Sequence, residues 1–377
     1  MGAHRFGRRR RALLVLALML GSAFVAVSPL TAAERNSYTV TPLVSDQAGV
    51  AAHTDPNLVN AWGLTAGPVT PANPAGTPWW VSDNGTDLST LYGGDGTPFP
   101  LPPAQPLVVN VGGGPTGDVF NPTSSFVVSD GTFSGVARFL FASEDGKIRG
   151  WSPAVPPPPP STQSEVAVDN SAAHAIYKGL ALAVTSSGPR LYATDFHNAQ
   201  VDVFDGSFAP VVHAGAFVDP SVPHGFAPFG IQNIQGRIFV TYAKQDADAE
   251  DDVAGLGLGF VDVFDTAGNL LGHVAQRGLL NAPWGLALAP SSFGRFGGDL
   301  LVGNFGDGRI NAYEELGNGH FAHLGELRGS DGNPLTIDGL WALEFGTGGT
   351  AGPTGTLFFT AGPDDETHGL FGSITAG

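Results

Sequence analysis

The chain has 377 residues, with 17 basic and 34 acidic side chains, a net charge of −17 and no cysteine. This acidity disfavours nucleic acid and anionic membranes as partners, because both require cations on the protein. The absence of cysteine excludes disulfide bonds, thiolate metal ligands and a cysteine nucleophile. With 54 glycines, 30 prolines and 25 phenylalanines, the composition indicates many short strands joined by turns.

The first 33 residues have the three parts of an export signal. Arg5 and Arg8–Arg11 form a basic segment, Ala12–Val27 is apolar and uncharged, and Thr31–Ala33 offers small residues for cleavage. The apolar stretch is shorter than the roughly 20 residues of a membrane-spanning helix. We expect cleavage near Ala33, no membrane insertion afterwards and a secreted protein, extracellular or periplasmic. An uncleaved anchor is the alternative, and both the general and the twin-arginine export routes stay open.

The mature chain, residues 34–377, is expected to be one domain and a monomer, and it contains six copies of one pattern. Each copy has a turn, a glycine and an apolar strand, followed by a second and a third β segment such as Leu300–Val302 and Arg309–Tyr313. The glycines are Gly63, Gly117, Gly179, Gly230, Gly285 and Gly339. A period near 50 residues with three or four strands is typical of a propeller blade. The pattern predicts an all-β, six-bladed β-propeller.

The two ends of the chain fit a closed ring. The sixth repeat stops one strand short, and the alternating segment Tyr38–Val44 is a strand left over at the start. Pairing the two would leave no open edge between the first and last blades. We therefore expect the N-terminal strand to close the ring by joining the last blade.

Three segments of the fifth repeat resemble an NHL repeat: Pro283–Ala287, Leu300–Asn304 and Gly308–Ile310. Residues 38–374 as a whole are similar to an uncharacterised family of secreted bacterial proteins with NHL-like six-bladed β-propellers. The resemblance implies the fold but no activity, because related propellers include calcium-dependent lactonases, lyases and pure binding modules.

A ligand site is expected at the channel mouth, where inner strands begin and second strands turn into third strands. Oxygen ligands from several blades are expected to converge there, together with the acidic run 246–252 of the fourth repeat. Such clusters bind hard divalent cations, so Ca²⁺ is the expected metal. The candidate ligands are Asp83, Glu144, Asp195, Asn304, Asp246, Asp248 and Asp252. The alternatives are turn-forming roles for these residues, a flexible and solvated acidic run, and an ordered run that Lys244 balances in place of a metal ion.

The residues that precede the six glycines are expected to surround the same mouth: Trp62, Thr116, Lys178, Phe229, Trp284 and Asp338. Lys178, His197 and His224 are the catalytic candidates, since a lysine can bind substrate and histidine titrates near neutrality. No glycine-rich motif lies between a strand and a helix, so neither a nucleotide nor a flavin cofactor is expected.

Two functions fit these observations. The first is an exported binding protein that holds a small molecule, a glycan or a protein at the channel mouth, with or without Ca²⁺. The second is a metal-dependent, lactonase-like hydrolase or lyase, in which the cation polarises a carbonyl group and a histidine or carboxylate moves the proton. The sequence does not decide between an enzyme and a binding protein.

Overall fold

The computed structural model describes residues 35–100 and 104–377. Within these ranges the chain forms strands, turns and short 3-10 helices, and it contains no α-helix. No helix of the described ranges is long and apolar enough to span a membrane. The export signal predicted for residues 1–33 lies outside the described residues. Both that signal and the assignment of residues 34–377 to one domain stay predictions. The 3-10 helices are Asn84–Thr86, Ser171–Ala173, Gly294–Phe296 and Gly349–Ala351.

The first half of the chain contributes two strands to the last sheet and then builds three antiparallel sheets. The two initial strands are β1 (Tyr38–Ser45) and β2 (His53–Thr54). The first sheet consists of β3 (Ala61–Thr65), β4 (Trp79–Asp83), β5 (Leu88–Tyr92) and β6 (Val108–Asn110). The second consists of β7 (Pro115–Phe120) and, after a separate hairpin of β8 (Val127–Ser129) and β9 (Ser134–Val136), of β10 (Phe139–Ser143), β11 (Lys147–Trp151) and β12 (Glu165–Asp169). The third consists of β13 (Tyr177–Thr185), β14 (Gly188–Asp195) and β15 (Gln200–Asp205).

The second half continues the same antiparallel pattern. The fourth group is β16 (Phe226–Ile234), β17 (Arg237–Lys244), β18 (Gly259–Phe264) and β19 (Leu270–Gln276). The fifth group is β20 (Pro283–Leu288), β21 (Leu300–Asn304), β22 (Ile310–Gly317) and β23 (His320–Glu326). One parallel bridge between His273 and His320 joins these two groups into a single eight-stranded sheet. The last sheet contains β24 (Leu340–Phe345), β25 (Leu357–Ala361) and β26 (Leu370–Ala376) together with β1 and β2.

The first strands of these sheets lie side by side around a common axis. In chain order β3 contacts β7, which contacts β13, and the contacts continue through β16, β20 and β24 back to β3. A closed cycle of inner strands, with antiparallel sheets extending outward from it, is the arrangement of a β-propeller. The prediction of an all-β propeller is confirmed at this level.

The repeated glycines allow neighbouring inner strands to approach closely. A Cβ atom on Gly63 would lie 2.4 Å from the Thr116 carbonyl oxygen, and one on Gly285 would lie 2.5 Å from the Trp341 carbonyl oxygen. The sequence therefore has glycine where the backbone of the next sheet fills the space of a side chain.

In the sixth repeat, the residue that corresponds to the repeated glycine lies three residues later in the chain than the sequence pattern predicts. Leu340 pairs with Ala361 as Pro283 pairs with Asn304, so Ala342 occupies the place that Gly285 has in the fifth group. Gly339 instead lies in the preceding turn with a φ of 62°. The predicted sixth position was therefore wrong, and Trp341 rather than Asp338 completes the ring of residues before the glycines.

The N-terminal strand pairs with the C-terminal strand. Tyr38 is opposite Ala376 and Ser45 is opposite Leu370 in an antiparallel ladder with one bulge. Tyr38, Leu43 and Val44 are buried on its inner side. The pairing of the two chain ends is the one that the sequence predicts.

Apolar side chains fill the spaces between successive sheets. Leu140 of the second sheet shares a buried cluster with Leu191 of the third, and Phe239 of the fourth group shares one with Val302 of the fifth. Full burial of such a side chain stabilises the fold by about 1.5–3 kcal/mol. This packing forms a rigid frame for the loops at the channel mouth.

Candidate functional site

Aromatic side chains close the axis of the ring just below the channel mouth. Trp62 stacks on Trp341 with ring centroids 3.6 Å apart, and Trp284 meets both rings edge to face. Phe229 also packs edge to face on Trp62 and Trp341. We call Trp62, Phe229, Trp284 and Trp341 the aromatic plug. Because each occupies the position before a repeated glycine or its equivalent, the repeat itself places them on the axis.

Lys178 occupies the same repeat position in the third sheet and brings a cation to the plug. Its side chain is only 1% exposed, and its Nζ lies 2.5 Å from Glu144 Oε1 and 2.9 Å from Asp251 Oδ1. The ammonium group also lies 5.2 Å from the ring centroid of Trp62, a cation–π distance. Burial alone would lower the pKa of Lys178, but the two carboxylates outweigh it and raise the pKa. Lys178 is therefore protonated and is not a general base at neutral pH.

Amide side chains connect the carboxylates of the mouth to the plug. Asn84 Nδ2 donates to Glu144 Oε2 at 2.9 Å, and Asn60 Nδ2 donates to Glu366 Oε2 at 2.6 Å. Asn60 Oδ1 accepts a hydrogen bond from Trp341 Nε1 at 3.0 Å. These bonds fix the orientations of two carboxylates relative to the aromatic rings.

Two further carboxyl groups have raised pKa values. Burial raises the pKa of Asp252 to about 7, against the lowering effect of Lys178, and the charges of Glu366 and Asp251 add to the increase. Burial also raises the pKa of Glu366, although the hydrogen bond from Asn60 and the charge of Lys178 oppose it. The channel mouth thus brings together seven polar residues, which we call the mouth cluster: Asn60, Asn84, Glu144, Lys178, Asp251, Asp252 and Glu366. With four carboxyl groups and one ammonium group, it is an acidic site.

Three predicted ligands have places outside the mouth cluster. Asp195 accepts hydrogen bonds from the backbone N–H groups of Ile176 and Asn198, and Asn304 donates to the Leu279 carbonyl oxygen at 2.8 Å. Asp83 is fully buried at the end of β4, and burial raises its pKa well above the usual range. These residues form strand ends and turns, which is the alternative role that the sequence allowed.

The acidic run 246–252 is only partly directed at the mouth. Asp246 accepts the backbone N–H of Glu250 at 2.9 Å, which closes a local turn, and Asp248 is exposed. Lys244 donates to the Gly225 carbonyl oxygen at 3.1 Å and not to the run. The cation that meets this loop is Lys178 of another sheet, through Asp251.

The predicted histidines have different surroundings. His197 is partly exposed in the turn after β14, and its ring centroid lies 6.1 Å from that of His174. The carbonyl oxygen of His197 accepts a hydrogen bond from Gln245 Nε2 at 3.3 Å, which connects this turn to the acidic loop. His224 is exposed in the turn before β16.

The candidate ligands of the sequence did not include Asn60, Asn84 or Glu366, and they covered Asp251 only as part of the acidic run 246–252. Glu366 follows β25 and Asn84 follows β4, so both lie in the same kind of turn as Glu144, which follows β10. The structure shows that the second strand ends at Ser143, one residue before Glu144. Positions beyond the strand end therefore reach the mouth, and positions at the strand end stay in the sheet.

A second acidic group lies on the outer strands of the fourth group. Asp219, Asp262 and His273 bring one ligand atom each to within 4.8 Å of one another. In the part of the chain that the structure describes, this is the group of three acidic and histidine side chains whose ligand atoms lie close enough together to hold one metal ion.

Two viral proteins are similar to this chain over most of its length. "Uncharacterized protein R648" of Acanthamoeba polyphaga mimivirus is 31% identical over 349 residues, which cover 90% of this chain and 80% of that protein. "Uncharacterized protein L690" of the same virus is 30% identical over 352 residues, 90% of this chain and 86% of that protein. The chain belongs to the family of these mimivirus proteins. No family model matches it.

This finding corrects the resemblance to a secreted bacterial family. The residues that carried the resemblance, such as Pro283–Ala287, form the inner strand and its close-packed glycine. Every propeller with closely packed inner strands needs such a segment, so it indicates a fold and does not identify a family.

Solved structures with related folds share little sequence with the chain. A PQQ-bound aldose sugar dehydrogenase from Streptomyces coelicolor gives a TM-score of 0.47 at 14% identity, covering 91% of this chain and 99% of that one. A gluconolactonase from Xanthomonas campestris gives a TM-score of 0.38 at 16% identity, covering 64% and 83%. Neither score reaches 0.5, so the fold assignment rests on the sheets described above.

Proposed function

We propose that the chain is a six-bladed propeller that is exported, loses its first 33 residues and acts as a monomeric binding protein. Six inner strands in the contact cycle and the pairing of β1 with β26 support the blade count and the closure. The proposed ligand is a small cationic molecule that is held by the mouth cluster.

The observation that carries this proposal is the excess of carboxyl groups around one buried ammonium. Lys178 contacts Glu144 and Asp251, which leaves Asp252 and Glu366 without a cation of their own among the described residues. Asp252 Oδ2 is buried and has no hydrogen-bond partner in the part of the chain that the structure describes. A buried carboxylate without a partner is costly, and a bound cation removes that cost.

The floor of the site argues against a sugar as the preferred ligand. A sugar ring has no free aromatic face to stack on in the plug, because Trp62 and Trp341 are 2% and 1% exposed and cover each other. The polar rim offers carboxylates and amides, which are groups that recognise ammonium compounds and metal cations. Ca²⁺ is the alternative occupant of the same carboxylates.

Calorimetric titration tests the proposal directly. Ethanolamine and putrescine, Ca²⁺, glucose and gluconate are titrated into the purified protein at pH 6 and pH 8. An ammonium ligand should bind more tightly at pH 8, because Asp252, with a pKa of about 7, is ionised above that pH. Binding should weaken with added salt, since both partners are charged.

Two substitutions identify the site. Asp252→Asn and Glu366→Gln should each weaken binding about tenfold or more, as expected for the loss of a charged hydrogen bond. Asp248→Asn is the matched control, because it removes one charge from the same loop at an exposed position. If all three variants bind the amines as tightly as the native protein does, a cationic ligand at the mouth cluster is refuted. Tighter binding of gluconate than of the amines would refute it as well.

A lactonase-like hydrolase or lyase is the second candidate, and Asp252 favours it. A carboxyl group with a pKa of about 7 can accept a proton from water near neutrality. The protonated Lys178 can stabilise negative charge on a carbonyl oxygen. A panel of lactones assayed from pH 6 to pH 9 tests this candidate. Hydrolysis should fall roughly 100-fold in Asp252→Asn, and no hydrolysis by the native protein would remove the candidate.

A further inference from the structure

A compact polar group on the outer strands of the fourth group is independent of the channel mouth. Asp262 of β18 and His273 of β19 are cross-strand partners, and Asp219 lies in the segment that leads from the third sheet to β16. His273 Nδ1 lies 2.9 Å from Asp262 Oδ1 and 3.3 Å from Asp219 Oδ2. Two carboxylates from separate segments therefore share one imidazole nitrogen.

Both carboxylates are buried, and the imidazole is not. The side chains of Asp262 and Asp219 are 0% and 2% exposed, whereas that of His273 is 42% exposed. An imidazolium ion could balance only one of the two negative charges. Two buried carboxyl groups therefore share one imidazole in a site that water reaches from one side, and ionised carboxyl groups in such a site are costly unless they are balanced.

Two unpartnered polar atoms point to a missing ligand. Asp262 Oδ2 and the Tyr242 hydroxyl are buried and have no hydrogen-bond partner among the described residues. Tyr242 is 4% exposed. Tyr242 of β17 is opposite Phe260 of β18, two residues before Asp262, so Tyr242 and Asp262 lie on the same face of the sheet. Buried polar groups are normally hydrogen-bonded, and both unsatisfied atoms belong to side chains on this face.

We propose that Asp219, Asp262 and His273 bind a divalent transition-metal ion, with Zn²⁺ preferred to Ca²⁺. Imidazole nitrogen and carboxylate oxygen are both zinc ligands, and open zinc sites combine three protein ligands with a water molecule in the fourth position. Ca²⁺ needs six to eight oxygen ligands, which this group does not supply. The exposed side of His273 gives the ion and its water a path of entry.

Neighbouring groups already orient the ligands. Ser221 donates its backbone N–H to Asp219 Oδ1 at 2.8 Å and its hydroxyl to Asp219 Oδ2 at 2.6 Å. Gln276 Nε2 donates to Ser221 Oγ at 2.9 Å. Such surrounding hydrogen bonds hold ligands in place in metal sites. The ion would join the segment before β16 to the outer strands and so stabilise this part of the fold.

Metal binding by stripped protein tests the proposal. The mature protein is treated with a chelator, dialysed and titrated with ZnCl₂ or CaCl₂ by calorimetry, and Co²⁺ is added separately to record its visible absorption. We expect one Zn²⁺ per chain, a rise in melting temperature, and a Co²⁺ spectrum of four or five ligands. Absence of stoichiometric zinc binding, or Ca²⁺ binding as tight as Zn²⁺ binding, overturns the proposal.

Two variants of the ligands and two control variants locate the ion. Asp262→Asn and His273→Gln should each weaken zinc binding at least about tenfold, and Asp262→Asn keeps the shape of the side chain if His273→Gln fails to fold. His368→Gln is the matched control, because His368 Nδ1 lies 2.7 Å from the single carboxylate of Asp46. The double variant Asp252→Asn/Glu366→Gln should keep the zinc site, which separates it from the mouth cluster. Equal zinc affinity in Asp262→Asn and the native protein contradicts the assignment.

Discussion

Removal of the N-terminal strand should destroy most of the stability of the ring. Deleting residues 34–45 takes away three buried apolar side chains, Tyr38 at 2%, Leu43 at 7% and Val44 at 0% exposure. At about 1.5–3 kcal/mol for each buried side chain, the loss is roughly 5–9 kcal/mol. That equals much of the net stability of a typical domain, about 5–15 kcal/mol. The deletion also leaves β26 as an unpaired edge, which favours aggregation.

Thermal unfolding followed by circular dichroism measures this effect. We expect the melting temperature to fall by at least about 10 °C, or the cooperative transition to disappear. A synthetic peptide with the sequence of residues 35–45 should restore part of the loss when it is added to the truncated protein. Thr39→Ala and Thr41→Ala change exposed positions of the same strand and should stay within about 0.5 kcal/mol of the native protein. A truncated protein that melts at the native temperature would refute ring closure by β1.

Three further predictions concern the axis of the ring. Lys178→Met should lower the unfolding free energy in urea by about 1–3 kcal/mol at pH 7, because it leaves carboxylates unbalanced. Lys147→Met, which breaks the more exposed pairs with Asp145 and Asp169, should change it by less than about 1 kcal/mol. Gly285→Ala should cost roughly 1–3 kcal/mol, because its Cβ would meet the Trp341 carbonyl oxygen at 2.5 Å, whereas Ala342→Gly should cost about 0.5–1 kcal/mol. Burial raises the pKa of Glu344 from 4.5 to about 8, so the folded protein binds a proton here that the unfolded chain releases. The stability that this proton contributes should be lost as the pH rises from 4.5 through about 8. The unfolding free energy of Glu344→Gln in urea should therefore depend less on pH than that of the native protein.

The fold could be predicted because the close packing of its inner strands requires glycine at regularly spaced positions of the sequence. Glycine at positions such as Gly63 and Gly230 is needed where the adjacent inner strand leaves no room for a Cβ atom. The same residue type also serves turns with positive φ, as Gly339 does at 62°. Sequence alone does not distinguish these two uses of glycine, and for this reason the sixth repeat was placed three residues too early.

The candidate site could be predicted only in part, because it depends on where loops meet. Lys178 was found from its place in the repeat, and Glu144 from its place after a strand. The ion pair between Lys178 and Asp251 joins residues that are far apart in sequence. Asp251 lies in a loop, and no periodic pattern in the sequence specifies the path of that loop. Asp195 looked equivalent to Glu144, but it ends β14 and accepts backbone N–H groups, so its side chain stays in the turn.

The aromatic plug divides the channel into two acidic compartments with different properties. Below it, Asp118 and Glu344 line a cavity of about 30 Å³ and also border a wider, open cavity of about 620 Å³. Burial and the charge of Glu344 raise the pKa of Asp118 well above its usual range, so both acids can stay neutral without a cation. Above it, the carboxylates Glu144 and Asp251 are 34% and 73% exposed and meet solvent. The ligand proposed for the mouth would therefore meet the exposed carboxylates of Glu144 and Asp251 first, with the plug between it and the two acids below.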